Sequence, residues 1–228
     1  MGRKTALAIM AKQPIVGKTK TRLCPFLNAQ EAAQLYEALL LDTLGLAARL
    51  DATVDLTVAV TPPESKAFFE RITPPGAKIL PVAGADIGEC LEQTLEALFA
   101  AGYFKALALN SDGPNLPLIY LQQAIQFLDQ AEVVLGPSLD GGYYLVGMRQ
   151  LHVGLFKEIA WSTEKVFTQT LGRAAELGLT IALTPPWYDI DIPQDLVHLE
   201  AELPFEEQEN LPFTRAILQR LSLRTRAG

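Results

Sequence analysis

Short β-rich runs alternate with helical patterns along almost the whole chain, and no other sequence feature constrains the fold as strongly. The runs are Thr5 to Met10, Asp55 to Val60, Lys78 to Val82, Lys105 to Leu109, Glu132 to Leu135, Tyr143 to Gly147 and Leu179 to Leu183. Helical periodicity fills the gaps near 29–50, 64–72, 88–101, 117–130, 163–177 and 194–203. Apolar positions three and four apart mark a helix face, whereas short β-branched runs between turn residues mark strands. Asn28 and Glu31 have the spacing of a capping box, and Leu35, Leu39, Leu46 and Leu50 follow as an apolar stripe. This alternation predicts an α/β protein whose mainly parallel sheet is covered by helices on both faces. No repeat and no Gly/Ser-rich linker divides the chain, so residues 1–228 read as one domain.

Composition excludes several classes. With 49% hydrophobic and 20% charged residues, the chain has the apolar content for a core and is not a disordered or low-complexity protein. Arg3-Lys4 followed by Thr5 to Ala11 imitates a signal peptide, but the apolar run is too short and ends in Lys12-Gln13-Pro14, so it reads as a buried strand. No run approaches the roughly 20 residues of a membrane span, and a soluble, cytoplasmic protein is expected. Cys24 and Cys90 lack any CxxC or Cys/His spacing, which excludes a disulfide scaffold and a structural zinc site and fits a reducing compartment.

Charge is distributed unevenly. Residues 1–30 hold six basic side chains (Arg3, Lys4, Lys12, Lys18, Lys20, Arg22) and no acidic one, while all 26 acidic residues lie beyond them. An overall net charge of −7 disfavours nucleic acid as a partner, because phosphate repulsion would act over most of the surface. A short basic loop on an acidic body suits a small polyanion. The later basic residues Arg215, Arg220, Arg224 and Arg226 read as a solvated helix face or a frayed tail.

In parallel α/β sheets ligands bind beyond the carboxyl ends of the strands, and four stretches there carry chemistry. The first is AKQPIVGKTKTRL, residues 11–23. Its GKT ends like a Walker A motif, but that pattern requires glycine where this chain has Lys12, and Pro25 and Asn28 delay the helix. What remains is a cationic loop around a glycine turn, able to hold a di- or triphosphate, or else a solvated basic loop. The second is Asn110-Ser111-Asp112-Gly113-Pro114, where Asp112 is either a Mg²⁺ ligand or part of a turn. The third, GPSLDGGYYLVG at 136–147, is a hairpin turn or a close backbone approach to a ligand with Asp140 facing it. Tyr143 and Tyr144 cannot face the same side. The fourth is YDIDIPQDL at 188–196, in which Asp189 and Asp191 share one side of an extended segment, and either a metal ligand or a helix cap is open to them. Pro193 and Asp195 have the form of a helix start.

Together these stretches resemble the GT-A-like nucleotide-diphospho-sugar transferase superfamily, and within it the bacterial DUF2064 group (radical-SAM/selenodomain-associated transferase 1), described as candidate glycosyltransferases. The group's pattern reads AKxPxxGxxKTRL, GxxLGER, SDxPxL, GPxxDGGYxLxG, WST and DxDTPxDL. This chain offers AKQPIVGKTKTRL, GADIGEC, SDGPNLP, GPSLDGGYYLVG, Trp161-Ser162-Thr163 and DIDIPQDL in the same order across residues 11–196. The resemblance implies a single GT-A-like domain, a three-layer αβα sandwich with a mainly parallel mixed sheet and a C-terminal helical extension at 205–228. It implies that Lys12, Gly17, Lys20, Arg22 and Ser111 hold a nucleotide's phosphates and that Asp112 and Asp191 bind Mg²⁺ or Mn²⁺. Asp140, Gly141, Gly142 and Tyr143 would line the sugar or acceptor pocket, with Trp161 and Ser162 nearby. Lys20 would assist departure of the diphosphate, and Asp140 is the candidate general base. Ser162 or Thr163 can also be read as a helix cap, and Trp161 as core packing.

Among the departures from the pattern, two change the chemistry. Cys90 replaces an arginine and removes a cation, and Ile192 replaces a threonine. His152 and His198 lie in no motif, and GxSxG is absent, so neither a histidine-based site nor a serine hydrolase is supported. The function expected from these readings is metal-dependent transfer from a nucleotide-activated donor, a nucleotide sugar foremost, to a small-molecule acceptor. Nucleotidyl transfer from an NTP to a phosphorylated acceptor, and nucleotide binding without catalysis, are the alternatives. Oligomeric state stays open, a homodimer included.

Overall fold

The computed structural model describes residues 4–24, 26–205 and 210–225; Arg3, Pro25, Arg226 and the side chain of Arg224 lie outside them. Seven strands form one sheet: β1 (Thr5–Lys12), β2 (Val54–Thr61), β3 (Lys78–Pro81), β4 (Lys105–Leu109), β5 (Val133–Pro137), β6 (Tyr143–Met148) and β7 (Ile181–Leu183). Their order is β3-β2-β1-β4-β6-β5-β7. All neighbouring pairs are parallel except those of β6, which runs against both β4 and β5. The sheet is therefore mixed and mainly parallel, as expected.

The helices are α1 (Ala29–Ala48), α2 (Lys66–Phe69), α3 (Ile87–Ala100), α4 (Leu118–Phe127), α5 (Val166–Glu176), α6 (Pro193–Glu202) and α7 (Pro212–Thr225). The capping box of α1 forms in full: Asn28 Oδ1 accepts from the Glu31 amide at 3.0 Å and Glu31 Oε2 from the Asn28 amide at 2.9 Å. That satisfies two of the donors a helix start leaves without partners.

The central strands are buried on both faces, and their two faces differ in residue size. Leu7, Ile9, Leu107 and Leu109 pack toward α1, α2 and α4, whereas Ala6, Ala8, Ala106 and Ala108 pack toward α3 and α5. Alternation along a strand sends successive side chains to opposite faces. One face is thus filled by bulky aliphatics, and the other leaves space beneath α3 and α5.

Helix α1 does not carry the single apolar stripe of the sequence reading. Leu40, Leu44 and Leu46 face the sheet, while Leu35, Leu39 and Ala38 join a separate core with Leu196 and Leu199 of α6 and Ile217 and Leu218 of α7. Over its described residues the C-terminal basic segment is a helix rather than a frayed tail, and Arg220 keeps the exposed position of a solvated face. Helix α7 docks on α1, Arg215 donates to the Leu203 carbonyl at 2.7 Å, and Arg220 donates to Gln34 at 2.6 Å. Buried Asp42 of α1 accepts from the amides of Phe213 and Thr214 at 3.2 and 2.7 Å, capping α7 from 171 and 172 residues away.

Candidate functional site

The carboxyl ends of β1, β4 and β7 and the start of the reversed strand β6 meet at one edge of the sheet, and the four chemistry-bearing stretches meet there with them. After β1 the chain turns at Gly17, and the amides of Lys18 and Thr19 donate to the Ile15 carbonyl at 3.0 and 3.1 Å. Lys20 then adopts a left-handed conformation, φ 50° and ψ 41°, before a 3-10 turn at Thr21–Leu23. A non-glycine residue rarely occupies that region, and here it turns the Lys20 side chain inward.

Lys20 Nζ lies 2.5 Å from Asp112 Oδ1 and 2.6 Å from Asp191 Oδ1. Only 6% of the lysine side chain is exposed, against 32% and 39% for the two aspartates. Burial alone would lower the ammonium's pKa, but the charges and hydrogen bonds of Asp112 and Asp191 outweigh it and hold it above the ordinary lysine value. Asp112 and Asp191 are brought together by the backbone, because the Ile190 amide donates to the Asp112 carbonyl at 2.9 Å. Asp191 is not the helix cap: Asp195 Oδ2 accepts from the amides of Asp191 and Ile192, both at 2.8 Å, which leaves the Asp191 side chain for Lys20.

Asp189 turns toward the same centre but is held differently. Its Oδ1 accepts from Asn110 Nδ2 at 2.8 Å and its Oδ2 from Ser138 Oγ at 3.0 Å. Burial, with the charge of Asp112 adding to it, pushes its carboxyl up to about 7 despite those two hydrogen bonds.

Beneath the lysine, Tyr36 of α1 ties the ends of β1 and β4 to each other. Its hydroxyl accepts from the Lys12 amide at 3.1 Å and exchanges a hydrogen bond with Ser111 Oγ at 2.9 Å, while its ring lies 5.8 Å from Lys20 Nζ. Burial and the charge of Asp112 push the phenol up to about 12. Ser111 is thus spent on Tyr36 and is buried, so it supports the site from below rather than facing a ligand. Lys12 and Arg22 are exposed, and Arg22 is among the cavity's lining residues whereas Lys12 is not.

The cavity, of about 400 Å³, opens next to this constellation. Met10, Ala108 and Val146 form its floor, Leu91 and Trp161 its walls, and Asp140, Glu164 and Asp191 supply acids at its rim. Its floor is thus built from the face of the sheet where small residues left space. Trp161 closes over α3 at Gly88: a Cβ there would lie 2.2 Å from the indole, so only glycine allows the approach. Tyr143 and Phe156 rings each sit 6.4 Å from the indole.

Asp140, Gly141 and Gly142 make the β5–β6 hairpin turn, and Asp140 and Gly142 also line the cavity, so the two readings of this stretch coexist. Asp140 Oδ1 accepts from the Gly142 amide at 2.9 Å. Gly141 points elsewhere: at φ +91° its missing Cβ would meet the Glu164 carbonyl oxygen at 2.2 Å, and it borders a second, shallower cavity with Leu139, Lys165 and Gln169. Tyr143 and Tyr144 diverge as expected, Tyr143 toward Trp161 and Tyr144 to Thr184 at 2.6 Å. Ser162 lines the cavity, while Thr163 Oγ1 donates to the Ala160 carbonyl at 2.7 Å. Cys90 is buried in the core below α3, its sulfur 3.7 Å from Thr61 Oγ1. Sequence reasoning assigns no role to Tyr36, Asn110 or Ser138. A tyrosine inside the aliphatic stripe of α1 was the one local sign, since a buried phenol needs a polar partner.

Two acidic oxygens converging on one cation are a hard donor set of the kind Mg²⁺ or Mn²⁺ takes when phosphates and water supply the other ligands. Among the described residues no group of three or more His, Cys, Asp or Glu side chains is placed to hold a metal by itself. No helix among them is long and apolar enough to cross a membrane.

A family model of uncharacterized proteins conserved in bacteria, DUF2064, matches residues 43–163. The chain belongs to this family. No curated protein matches this DUF2064 chain. Among solved structures it is similar to a candidate nucleotide-diphospho-sugar transferase from Desulfovibrio desulfuricans G20, with 27% identity, a TM-score of 0.88, and coverage of 98% of this chain and 97% of the other. It shares its fold with a 4-diphosphocytidyl-2C-methyl-D-erythritol synthase, at 15% identity, TM-score 0.59 and coverage of 89% and 100%. The same fold occurs in a CMP:2-keto-3-deoxy-manno-octonic acid synthetase solved with CTP, at 12% identity, TM-score 0.54 and coverage of 90% and 100%. The DUF2064 chain thus has the α/β architecture of nucleotide-diphospho-sugar transferases and cytidylyltransferases.

Proposed function

We propose that this chain is a transferase that takes an activated group from a nucleotide donor, a nucleotide sugar foremost, and passes it to a small acceptor in the adjoining cavity. The observation that carries this reading is the buried Lys20 clasped by Asp112 and Asp191 at the mouth of a 400 Å³ cavity. The similarity over nearly the whole chain to the Desulfovibrio protein supports it.

In this reading Lys12, Lys20, Arg22 and the backbone around Gly17 hold the donor's phosphates, the arginine by its planar fork and the lysines as point charges. A Mg²⁺ or Mn²⁺ ion held by Asp112 and Asp191 would supply neutralisation of the charge that builds on the leaving diphosphate. Lys20 and Arg22 offset the same charge from the protein side. Asp140 stands at the rim to accept the proton of an acceptor hydroxyl as its oxygen bonds to the anomeric carbon and the nucleoside diphosphate departs. Trp161 offers a flat apolar wall and Gly142, Tyr143 and Ser162 the rest of the surround. Among the described residues, Arg22 is the one cation in the cavity lining, against Asp140, Glu164 and Asp191. That balance suits a neutral hydroxyl acceptor better than a phosphorylated one, and so favours glycosyl over nucleotidyl transfer.

The test is thermal unfolding with a panel of nucleoside triphosphates and nucleotide sugars, each with and without Mg²⁺ or Mn²⁺. A ligand at 100 times its Kd stabilises by about 2.7 kcal/mol. Metal-dependent shifts confined to nucleotide sugars are expected. Shifts confined to triphosphates would move the assignment to nucleotidyl transfer, and no shift with any of them would overturn it. Turnover by the wild type that Asp112→Ala abolishes excludes a role in binding alone.

A further inference from the structure

The geometry points to Lys20 as the resident cation of the Asp112–Asp191 pair, so that a divalent metal reaches these carboxylates only by displacing the ammonium, and does so together with phosphate groups that give Lys20 a new partner. The inference rests on the reading of the site as a nucleotide-diphosphate centre.

Three observations lead to it. Lys20 Nζ lies within hydrogen-bond distance of one oxygen from each aspartate, at 2.5 and 2.6 Å, so it stands at the point on which the pair converges. A divalent ion at that point and the ammonium would repel at contact distance and compete for the same oxygens. The approach is also two-sided. The lysine reaches the pair from the protein interior, 6% exposed and backed by the Tyr36 ring, whereas the aspartates are 32% and 39% exposed, and Asp191 lines the cavity. A ligand arriving from the cavity meets the carboxylates first.

The third observation is the charge balance. Two carboxylates and one ammonium leave the cluster at −1, which repels a free diphosphate. Adding a divalent ion alone, with Lys20 still in place, leaves +1 around an ammonium whose side chain is only 6% exposed. Adding both satisfies each: the ion takes the carboxylates and the phosphates take Lys20. Lys20 therefore couples metal binding to diphosphate binding and keeps the free protein from collecting metal.

The deciding experiment measures Mn²⁺ binding by electron paramagnetic resonance with no nucleotide present. Wild type is compared with Lys20→Met, which keeps the side chain's length and removes its charge, and with Lys20→Met/Asp112→Asn. Lys20→Met is expected to bind one Mn²⁺ at least about tenfold more tightly than wild type, and the double variant to lose that site, since about 1.4 kcal/mol is tenfold in affinity. Equal affinity in wild type and Lys20→Met, or no binding to Lys20→Met when it is folded by circular dichroism, overturns the proposal. A measurement on wild type covers the case in which the variant does not fold. The ¹⁵N resonance of the Lys20 ammonium should hold its position when Mg²⁺ alone is added and shift when Mg²⁺ and inorganic pyrophosphate are added together. A shift with Mg²⁺ alone, or none with both, overturns it. These readouts involve no nucleotide, so a failure of the nucleotide panel sinks the proposed donor and leaves the lysine exchange to be judged on its own data.

Discussion

The two ends of the sheet carry the same residue types and do different things with them. At the amino end, Asp55 accepts from the Tyr103 hydroxyl at 2.7 Å and lies 3.5 Å from Lys4, while Lys105 reaches Asp129 at 2.7 Å. Lys4 and Asp129 are each 69% exposed, and neither cavity borders these groups. The Tyr103 hydrogen bond, ahead of the lysines, holds the Asp55 carboxyl below the usual carboxylate range. At the carboxyl end one buried lysine faces two acids beside a cavity. Ion pairing as such therefore does not mark a site. What marks it is a buried cation shared between carboxylates that remain reachable from a cavity, because charge there acts through less water.

Breaking the carboxyl-end cluster should have the largest effect. Lys20→Met or Asp112→Asn is expected to lower kcat/KM for nucleotide-dependent transfer by about 10²- to 10³-fold, the size seen when one electrostatic contact to a developing charge is lost. Asp55→Asn at the opposite end should leave kcat/KM within about twofold, as expected of an exposed pair. Steady-state kinetics of the three variants decides this, and similar losses in all three would erase the contrast between the ends.

The cavity wall offers a second comparison. Gly88→Ala places a methyl against the Trp161 indole and should cost about 1–3 kcal/mol in urea unfolding, with a change in tryptophan fluorescence. Gly45→Ala in α1, where nothing lies within 4 Å of the new Cβ, should instead stabilise by about 0.5–1 kcal/mol. If the two alanines behave alike, the wall is not fitted to its glycine.

Acidity sharpens the contrast further. The Asp189 carboxyl is pushed up to about 7, above its unfolded value of about 3.9, so the folded state binds its proton more tightly. Its contribution to stability is complete below about pH 4 and is lost as pH rises toward 7, with a slope of at most about 1.4 kcal/mol per pH unit. Asp189→Asn should flatten that part of the stability–pH curve, whereas Asp55→Asn, whose carboxyl is shifted the other way, should not. The smallest effect is expected at Lys4→Met, within about 1 kcal/mol of wild type by urea unfolding.

Much of the fold was open to a reading of local pattern. Strand β4 was expected at Lys105 to Leu109 and spans those residues, and the capping box of α1 forms as its spacing implied. Such features depend on neighbours a few residues apart: side-chain alternation, helix period and the groups that satisfy a helix start. The same holds for the positions of the four site stretches, since each lies at or shortly after the end of a strand. Where residues had both a structural and a chemical reading, local pattern could not choose. Asp191 was left between cap and ligand until Asp195 proved to make the cap.

What only the tertiary structure decided are the partners of the charges. The first 30 residues hold no acid, so Lys20 looked like an unpaired cation, yet its partners arrive from positions 112 and 191. The basic stretch from Arg215 reads locally as a solvated helix face or a frayed tail, and only the folded chain shows its helix α7 capped by Asp42 and packed on α1 with Arg220 still exposed. The chain by itself set its strands, its helices, the cationic loop and the small face of the central strands. Strand order and the reversed direction of β6 then set which loop ends meet. Those are properties of the whole packed sheet, because contacts between residues far apart in the chain depend on which elements bury one another and not on any local preference.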